Sequence, residues 1–128
     1  YTAALASIKE FKRRDVFKKI ESNGKMIKNV WNNLSKKYNI PINIMGSNAI
    51  PSFSFCDNHI KRKTFLTKEM LRNDILATNM VYITIFHNKH NIAKYIKVLE
   101  KVFSDISKKK INNILKSNLC FKPINRVN

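Results

Sequence analysis

Glycine is scarce in this chain of 128 residues, which contains only Gly24 and Gly46. Nucleotide-binding loops such as GxGxxG and the P-loop need several glycines, because the backbone must approach phosphate oxygens closely. Neither pattern occurs, and GxSxG and HExxH are missing as well. The sequence therefore excludes a glycine-rich phosphate cradle and the commonest serine-hydrolase and zinc-protease motifs.

Cysteines and carboxylates are also few. Cys56 and Cys120 lie far apart, and with three histidines they complete no zinc-ligand spacing. They are typical of reduced thiols in a cytosolic protein. Eight acidic residues show no pairing at a catalytic spacing. We therefore expect neither a metal site nor a pair of carboxylates acting as acid and base.

Long apolar runs are absent too. None approaches the roughly 18 residues that a membrane span needs, and the first residues lack the basic region of a signal peptide. We therefore expect a cytoplasmic protein without membrane contact.

The chain does not start with methionine, and we expect it to be a piece of a longer protein.

Positive charge is what the chain has in excess, with a formal net charge of +17. One interpretation is a stand-alone basic module that binds nucleic acid or another polyanion. Composition favours a different cause, because 20 lysines, 17 asparagines and 17 isoleucines accompany only five arginines. These three residue types have A/T-rich codons, whereas nucleic-acid readers favour arginine for bidentate contacts. Nucleic acid is therefore not the partner that we expect.

Apolar residues at helical spacing predict three long helices. The first covers residues 2–12, and Asp15 is an N-cap or a break before a second helix that ends near Tyr38. Gly24 interrupts this second helix at a cost of about 1 kcal/mol. The last helix runs from about Asn88 to Ser107. A shorter helix is capped by Thr64 or Thr67, after a basic loop at residues 61–63.

Alternating apolar residues predict strands at Ile42–Ile44 and Phe53–Phe55. Met80–Phe86 is apolar apart from Thr84, which is typical of a strand covered on both faces. His87 and His90 follow this strand. An i, i+3 histidine pair can bind metal, but no third ligand is evident, and we interpret His87 as a helix cap or a packed residue. The chain thus lacks a complete active site, and we expect it to supply one wall of a site built elsewhere.

Residues 75–103 resemble the C-terminal part of class III pyridoxal-phosphate (PLP) aminotransferases, especially those similar to glutamate-1-semialdehyde 2,1-aminomutase. The resemblance lies in the order of motifs: a helix, an I-L-A step at Ile75–Ala77, a strand, His87 and a last helix ending in V-F. The opening T-A-A-L-A-S-I resembles the family's P-T-A-A-L-A-T-I helix. The tail L-C-F-K-P-I-N-R-V-N resembles the family ending V-C-H-S-G-F-K-R-L-N.

This resemblance implies an α+β fold, the C-terminal domain of a fold-type I PLP enzyme. We expect linking helices over residues 1–38, a small domain over residues 39–107 with about three antiparallel strands and helices packed on them, and a docking tail over residues 108–128. The complete enzyme would be a cytosolic homodimer that transfers an amino group to a keto or aldehyde substrate, such as a sugar or an amino-acid semialdehyde. This chain would cover the large domain and close over the substrate.

The resemblance also implies that the catalytic residues lie outside the chain. The lysine that forms the Schiff base with PLP is expected upstream, so no lysine here is assigned a catalytic role and no residue is assigned to the cofactor. Asp74 stands where the family has glycine, at a turn that needs unusual backbone angles. Some class III enzymes place an Arg or a Glu near the start of the central strand. Here Asn79 and Tyr82 are the candidate substrate-pocket residues.

Overall fold

A computed structural model describes residues 1–108, and these residues form an α+β fold, as predicted. Four helices and two strands follow one another in the order α1 (Thr2–Arg13), α2 (Val16–Tyr38), β1 (Ile42–Met45), β2 (Ser52–Phe55), α3 (His59–Arg72) and α4 (Lys89–Ser107). The predicted bounds of α1, α2 and α4 agree with these to within two residues. Gly24 does not break α2.

The core lies between α2, α3, α4 and the inner face of β2. Helix periodicity brings the apolar stripes of α2 and α4 together, while Phe53 and Phe55 point inward from alternate positions of β2. The Trp31 and Phe53 ring centroids are 4.8 Å apart, and Phe55 and Phe103 are 6.0 Å apart. The fully buried side chains include Ile27, Trp31, Phe53, Phe65, Leu66, Met70, Leu99, Val102 and Phe103.

The two strands form an antiparallel hairpin, in which Ile42 pairs with Phe55 and Ile44 with Phe53. The connection from residue 46 to residue 51 begins at Gly46, whose φ of 81° lies in the left-handed region. A Cβ at this position would come within 2.3 Å of the Ile50 carbonyl oxygen. Glycine is therefore required here for both its backbone angle and its lack of a side chain.

The prediction of a regular third strand at Met80–Phe86 is wrong. The chain there is extended beside β2, but it forms only an isolated antiparallel bridge between Ser52 and Met80. Val81 N donates to Pro51 O at 3.0 Å and Ile83 N to Ala49 O at 2.9 Å. Pro51 has no N–H to donate in return, so a reciprocal ladder cannot continue along this edge.

The prediction that both faces of this segment are covered is also wrong. Only Ile83 is buried within it, whereas Tyr82 and Phe86 are 67% and 74% exposed. Within residues 1–108 the helices cover the inner face of the segment and leave the outer face open. The segment therefore combines the composition of a doubly covered strand with an apolar face that faces solvent.

Helix α3 begins at His59, earlier than predicted, so the basic run at residues 61–63 is helical and not a loop. Arg62 forms an ion pair with Asp57 and lies over the Phe55 ring, 5.8 Å from its centroid. Phe55 N donates to His59 Nδ1 at 3.2 Å, which ties the new helix to the end of β2. Thr64 therefore lies inside the helix, where its hydroxyl donates to the Ile60 carbonyl oxygen.

Helix α1 differs from the other helices because none of its residues is buried. It contacts α2 through the edge-on packing of Phe11 against Phe17. Helix α2, in contrast, contributes Ile27 and Trp31 to the common core. The proposed division after residue 38 stays a prediction, and residues 109–128 of the docking tail lie outside the described residues.

No helix within residues 1–108 combines the length and the apolar character that crossing a membrane requires.

Candidate functional site

A cleft of about 580 Å³ opens between the connection from α3 to α4 and the first turns of α4. The connection supplies most of the wall, and α4 supplies the rest with one residue of α2. Its lining includes Asp74, Ala77, Tyr82, Thr84, His87, Asn91, Lys94 and Tyr95. The cleft is thus built largely from the stretch in which the sequence placed the candidate substrate residues.

The turn at Asp74 starts this wall. Asp74 has a φ of 58°, in the left-handed region. An unusual backbone angle was predicted here because the resembling family has glycine at this position. Its N–H donates to Leu71 O at 3.1 Å, and Ile75 N donates to Met70 O at 2.9 Å. These two bonds form the Schellman motif that ends α3. Ile75 is thereby packed against the core, and the next residues are directed along the cleft.

Asp74→Gly is expected to raise the free energy of unfolding by about 0.5 kcal/mol, because glycine adopts the left-handed region without steric cost. Asp74→Val should lower it by about 1–2 kcal/mol, because a β-branched side chain is strained there. Urea unfolding followed by circular dichroism measures both changes. Lys97→Gly, in the exposed interior of α4, is the control and should cost about 1 kcal/mol. Equal losses for both glycine variants would contradict this role of Asp74.

Asn79 is directed toward β2. Its Nδ2 donates to Phe53 O at 2.6 Å, while Phe53 N donates to Asn79 O at 2.9 Å. Thr78 Oγ1 donates to the Asn79 side-chain oxygen at 3.2 Å. These bonds hold the segment against the edge of β2, and Asn79 is not among the residues that line the cleft. Its role in substrate binding stays a prediction.

Tyr82 lines the cleft and exposes two thirds of its side chain. Leu76, Met80 and Phe86 also line it and are exposed, Leu76 to 94%. Large exposed apolar side chains clustered in this way mark interaction surfaces. The role of Tyr82 in substrate binding also stays a prediction.

His87 is held at the end of the cleft by its own turn. Thr84 N donates to His87 Nδ1 at 2.9 Å, and Asn23 Nδ2 donates to His87 O at 3.1 Å. In the neutral ring the hydrogen is therefore on Nε2. The interpretation of His87 as a helix cap is wrong, because the Asn88 side chain accepts from Asn91 N at 2.9 Å and caps α4. Asparagine is shorter than histidine and is a preferred N-cap.

Trp31 and Tyr95 form a buried polar pair beneath the cleft. Trp31 Nε1 donates to Tyr95 Oη at 2.9 Å. Burial raises the pKa of Tyr95 well above its usual value, so the hydroxyl keeps its hydrogen. Helical spacing places Trp31 on the apolar stripe of α2 and Tyr95 on that of α4. The available clue was a tyrosine on the otherwise apolar buried stripe of α4, since a buried tyrosine hydroxyl needs a partner.

Charged groups in the cleft are few. Lys94 and Asp74 line it, and both are exposed. No lysine within residues 1–108 is buried. In the same part of the chain, no three His, Cys, Asp or Glu side chains cluster so as to hold a metal ion. The cleft therefore offers hydrogen-bond donors and apolar walls, but no buried amine.

No protein-family model and no curated protein matches the chain. A solved structure, the PLP internal aldimine form of the FumI protein from Sphingopyxis sp. MTA144, superposes with a TM-score of 0.72 at 12% sequence identity. The superposition covers 84% of this chain and 27% of that chain. The chain thus has the fold of a part of a PLP-dependent protein and spans little more than a quarter of that protein's length.

Proposed function

We propose that this chain is the C-terminal part of a class III PLP-dependent aminotransferase or aminomutase, similar to glutamate-1-semialdehyde 2,1-aminomutase. The complete enzyme transfers an amino group between a small-molecule donor and a keto or aldehyde acceptor, such as a sugar or an amino-acid semialdehyde. It works as a cytoplasmic homodimer. The observation that carries this proposal is the likeness of the described fold to about a quarter of a PLP-bound protein.

The exposed apolar surfaces support the proposal that another domain of the enzyme packs against this chain. Helix α1 presents Leu5, Ile8 and Phe11 on one stripe, and all three are exposed. Burying such side chains contributes roughly 1.5–3 kcal/mol each. A large domain packed on α1, and on the apolar face formed by Leu76 and Phe86, accounts for both surfaces. The second subunit is the further partner that we propose.

The exposure of the lysines of residues 1–108 agrees with the proposal that the Schiff-base lysine lies in the upstream part of the enzyme. A lysine that forms an aldimine is usually activated by desolvation or by neighbouring charge. No lysine of residues 1–108 is buried, and the one in the cleft, Lys94, is exposed. PLP, when bound to the complete enzyme, supplies the electron sink for amino transfer. This chain contributes the wall on the substrate side of the site, with Tyr82 and Asn79 as the candidate residues.

The test is to determine the coding sequence upstream of Tyr1 and to express the whole reading frame. We expect the longer protein to bind PLP with the visible absorbance of a lysine aldimine and to transaminate. Residues 1–128 alone should show only nonspecific, non-saturable lysine adducts. Absorbance titration with PLP measures both proteins under the same conditions.

The control is substitution of the upstream lysine by alanine, which should abolish the aldimine band of the long protein. Two outcomes would contradict the proposal: a saturable aldimine band from residues 1–128 alone, or an upstream sequence that encodes no such lysine.

A further inference from the structure

Strand β1 forms an open edge of the sheet. Within residues 1–108 the sheet consists of β1 and β2, and the extended segment after α3 lies along the other edge of β2. The outer edge of β1 therefore has no strand beside it in this part of the chain. An edge of this kind is a template on which a further strand can pair.

The register of the hairpin shows which groups of β1 face this open edge. Phe53 N donates to Asn79 O, away from β1. In an antiparallel pair, two opposite residues direct their N–H and C=O groups either toward each other or away from each other. Ile44 is opposite Phe53, so its N–H and C=O groups point to the open edge. The same holds for Ile42, two residues earlier in the strand.

The open edge carries no charge that would discourage pairing. Residues 38–56, which include both strands, contain no charged side chain, although 26% of the whole chain is charged. Charged side chains on an edge strand are a common protection against pairing with other chains. Pro41, which has no N–H, and the turn at Gly46 limit the pairing region to the length of β1. The edge is thus short, uncharged and open.

Helix α2 packs against β1 and runs in the opposite direction. Ile40 N donates to Ser35 O at 3.0 Å just before the strand begins. Lys28 Nζ donates to Gly46 O at 2.7 Å just after the strand ends. The ammonium group of Lys28 therefore lies at one end of β1, and the last turns of α2 lie at the other.

This flank of the molecule is positively charged. Residues 22–56 contain four lysines and no carboxylate. Lys36 is exposed and directly follows Ser35, beside the start of β1. A positive flank attracts an acidic partner and repels a second copy of the chain, whose formal net charge is also +17.

We propose that β1 binds an extended acidic segment of a partner protein by strand addition. A row of alternating N–H and C=O groups pairs with a polypeptide backbone, whereas a nucleic acid offers no matching row. Ile42 and Ile44 face the helices, because the residues paired with them are buried in the core. Every second side chain of an added strand faces the same way, toward the flank where α2 carries Lys28 and Lys36, and these are the positions at which the partner is acidic.

The probe is a blocked heptapeptide of alternating glutamate and valine, titrated into ¹⁵N-labelled protein (residues 1–128) and followed by NMR. We expect saturable downfield shifts of the Ile42 and Ile44 amides, because their N–H groups exchange water for a peptide carbonyl. The Asn43 and Met45 amides point to β2 and should move much less. This alternation distinguishes strand addition from unspecific binding of an anion.

Two control peptides separate backbone pairing from charge. The same peptide methylated on every amide keeps its charge but cannot donate, and it should bind about tenfold or more weakly. The peptide with lysine in place of glutamate keeps the backbone and should cause no saturable shift.

Two variants test the protein side. Ile44→Pro removes an N–H group that faces the open edge and leaves the hydrogen bonds to β2 in place, so it should abolish binding. Lys36→Gln should weaken binding about two- to fivefold, the range of an exposed ion pair. Lys97→Gln, at an exposed position of α4, is its matched control and should leave binding unchanged.

Strand addition is overturned if the Ile42 and Ile44 amides do not shift up to millimolar peptide, or if the methylated peptide binds equally well. Equal binding of the lysine peptide, or equal losses in the two lysine variants, would overturn the acidic partner. Shifts of the same two amides on raising the protein concentration alone would assign the edge to a second copy. If Ile44→Pro does not fold, the peptides and the lysine variants still decide. None of these results depends on PLP, so they are independent of the test of the proposed enzyme.

Discussion

Trp31→Ala is expected to lower the free energy of unfolding by about 4 kcal/mol, the largest effect of any single substitution considered. Trp31 is completely buried and packs on Phe53 at a centroid distance of 4.8 Å. Truncating a buried tryptophan removes its transfer free energy and leaves a cavity, which together cost about 3–5 kcal/mol. The Tyr95 hydroxyl also loses the hydrogen bond that positions it.

Trp31→Phe separates these two contributions, because it keeps most of the ring and removes the indole N–H. Its loss should be about 1–3 kcal/mol. Urea unfolding followed by far-UV circular dichroism measures both variants, since tryptophan fluorescence is lost with the residue. A loss below 1 kcal/mol for Trp31→Ala would show that Trp31 is not part of the packed core.

Gly24→Ala is expected to lower the free energy of unfolding by about 3 kcal/mol. Gly24 is buried in the middle of α2, where the loop between β1 and β2 crosses the helix. A Cβ added at this position would lie 1.8 Å from Asn48 O, a backbone atom that cannot rotate away. The loop must therefore shift, and overpacking of this kind typically costs 1–3 kcal/mol or more.

Two contacts fix the loop over Gly24. Asn48 Nδ2 donates to Glu21 Oε1 at 2.6 Å, and Lys28 Nζ donates to Gly46 O at 2.7 Å. Both lie one turn from Gly24, on either side, so the loop cannot lift without losing them. Alanine at this position should therefore also shift the amide resonances of residues 46–50.

Helix propensity alone makes the opposite prediction for Gly24→Ala, a gain of about 1 kcal/mol. The sign of the measured change therefore distinguishes the two. Asn29→Ala, at an exposed position of the same helix, is the matched control and should be neutral or slightly stabilising. A stabilised Gly24→Ala protein with unchanged loop resonances would rule out the close approach.

Periodicity predicted the elements whose residues interact mainly with one another. Helices α2 and α4 carry long apolar stripes, and a stripe of that length permits no other regular structure. The left-handed turn at Asp74 was also predicted, because aspartate is among the few residues other than glycine that tolerate it. The start of α3 was missed because Lys61–Lys63 carries no apolar stripe. Arg62 in this run is held by Phe55 at the end of β2 and by Asp57 in the loop that follows.

At the candidate site, too, the sequence and the tertiary structure decide different features. The step from Leu76 to Tyr82 is a candidate wall of a site because of its resemblance to class III aminotransferases, and this assignment stays a prediction. Which side chains face the cleft depends on hydrogen bonds between distant parts of the chain. Asn79 is directed toward β2 by its hydrogen bond to Phe53 O. The Tyr95 hydroxyl accepts a hydrogen bond from Trp31, which is 64 residues away in the sequence.

The sequence by itself determined the three long helices and the two hairpin strands, because these follow from residue types and local spacing. Tertiary structure decided the rest. Pro51 prevented a third regular strand, and the loop at Asn48 leaves no space for a side chain at position 24, although helix propensity alone disfavours glycine there. The hydrogen bond that Trp31 donates fixes the position of the Tyr95 hydroxyl. Each of these depends on atoms far apart in sequence that only packing brings within 3 Å or so.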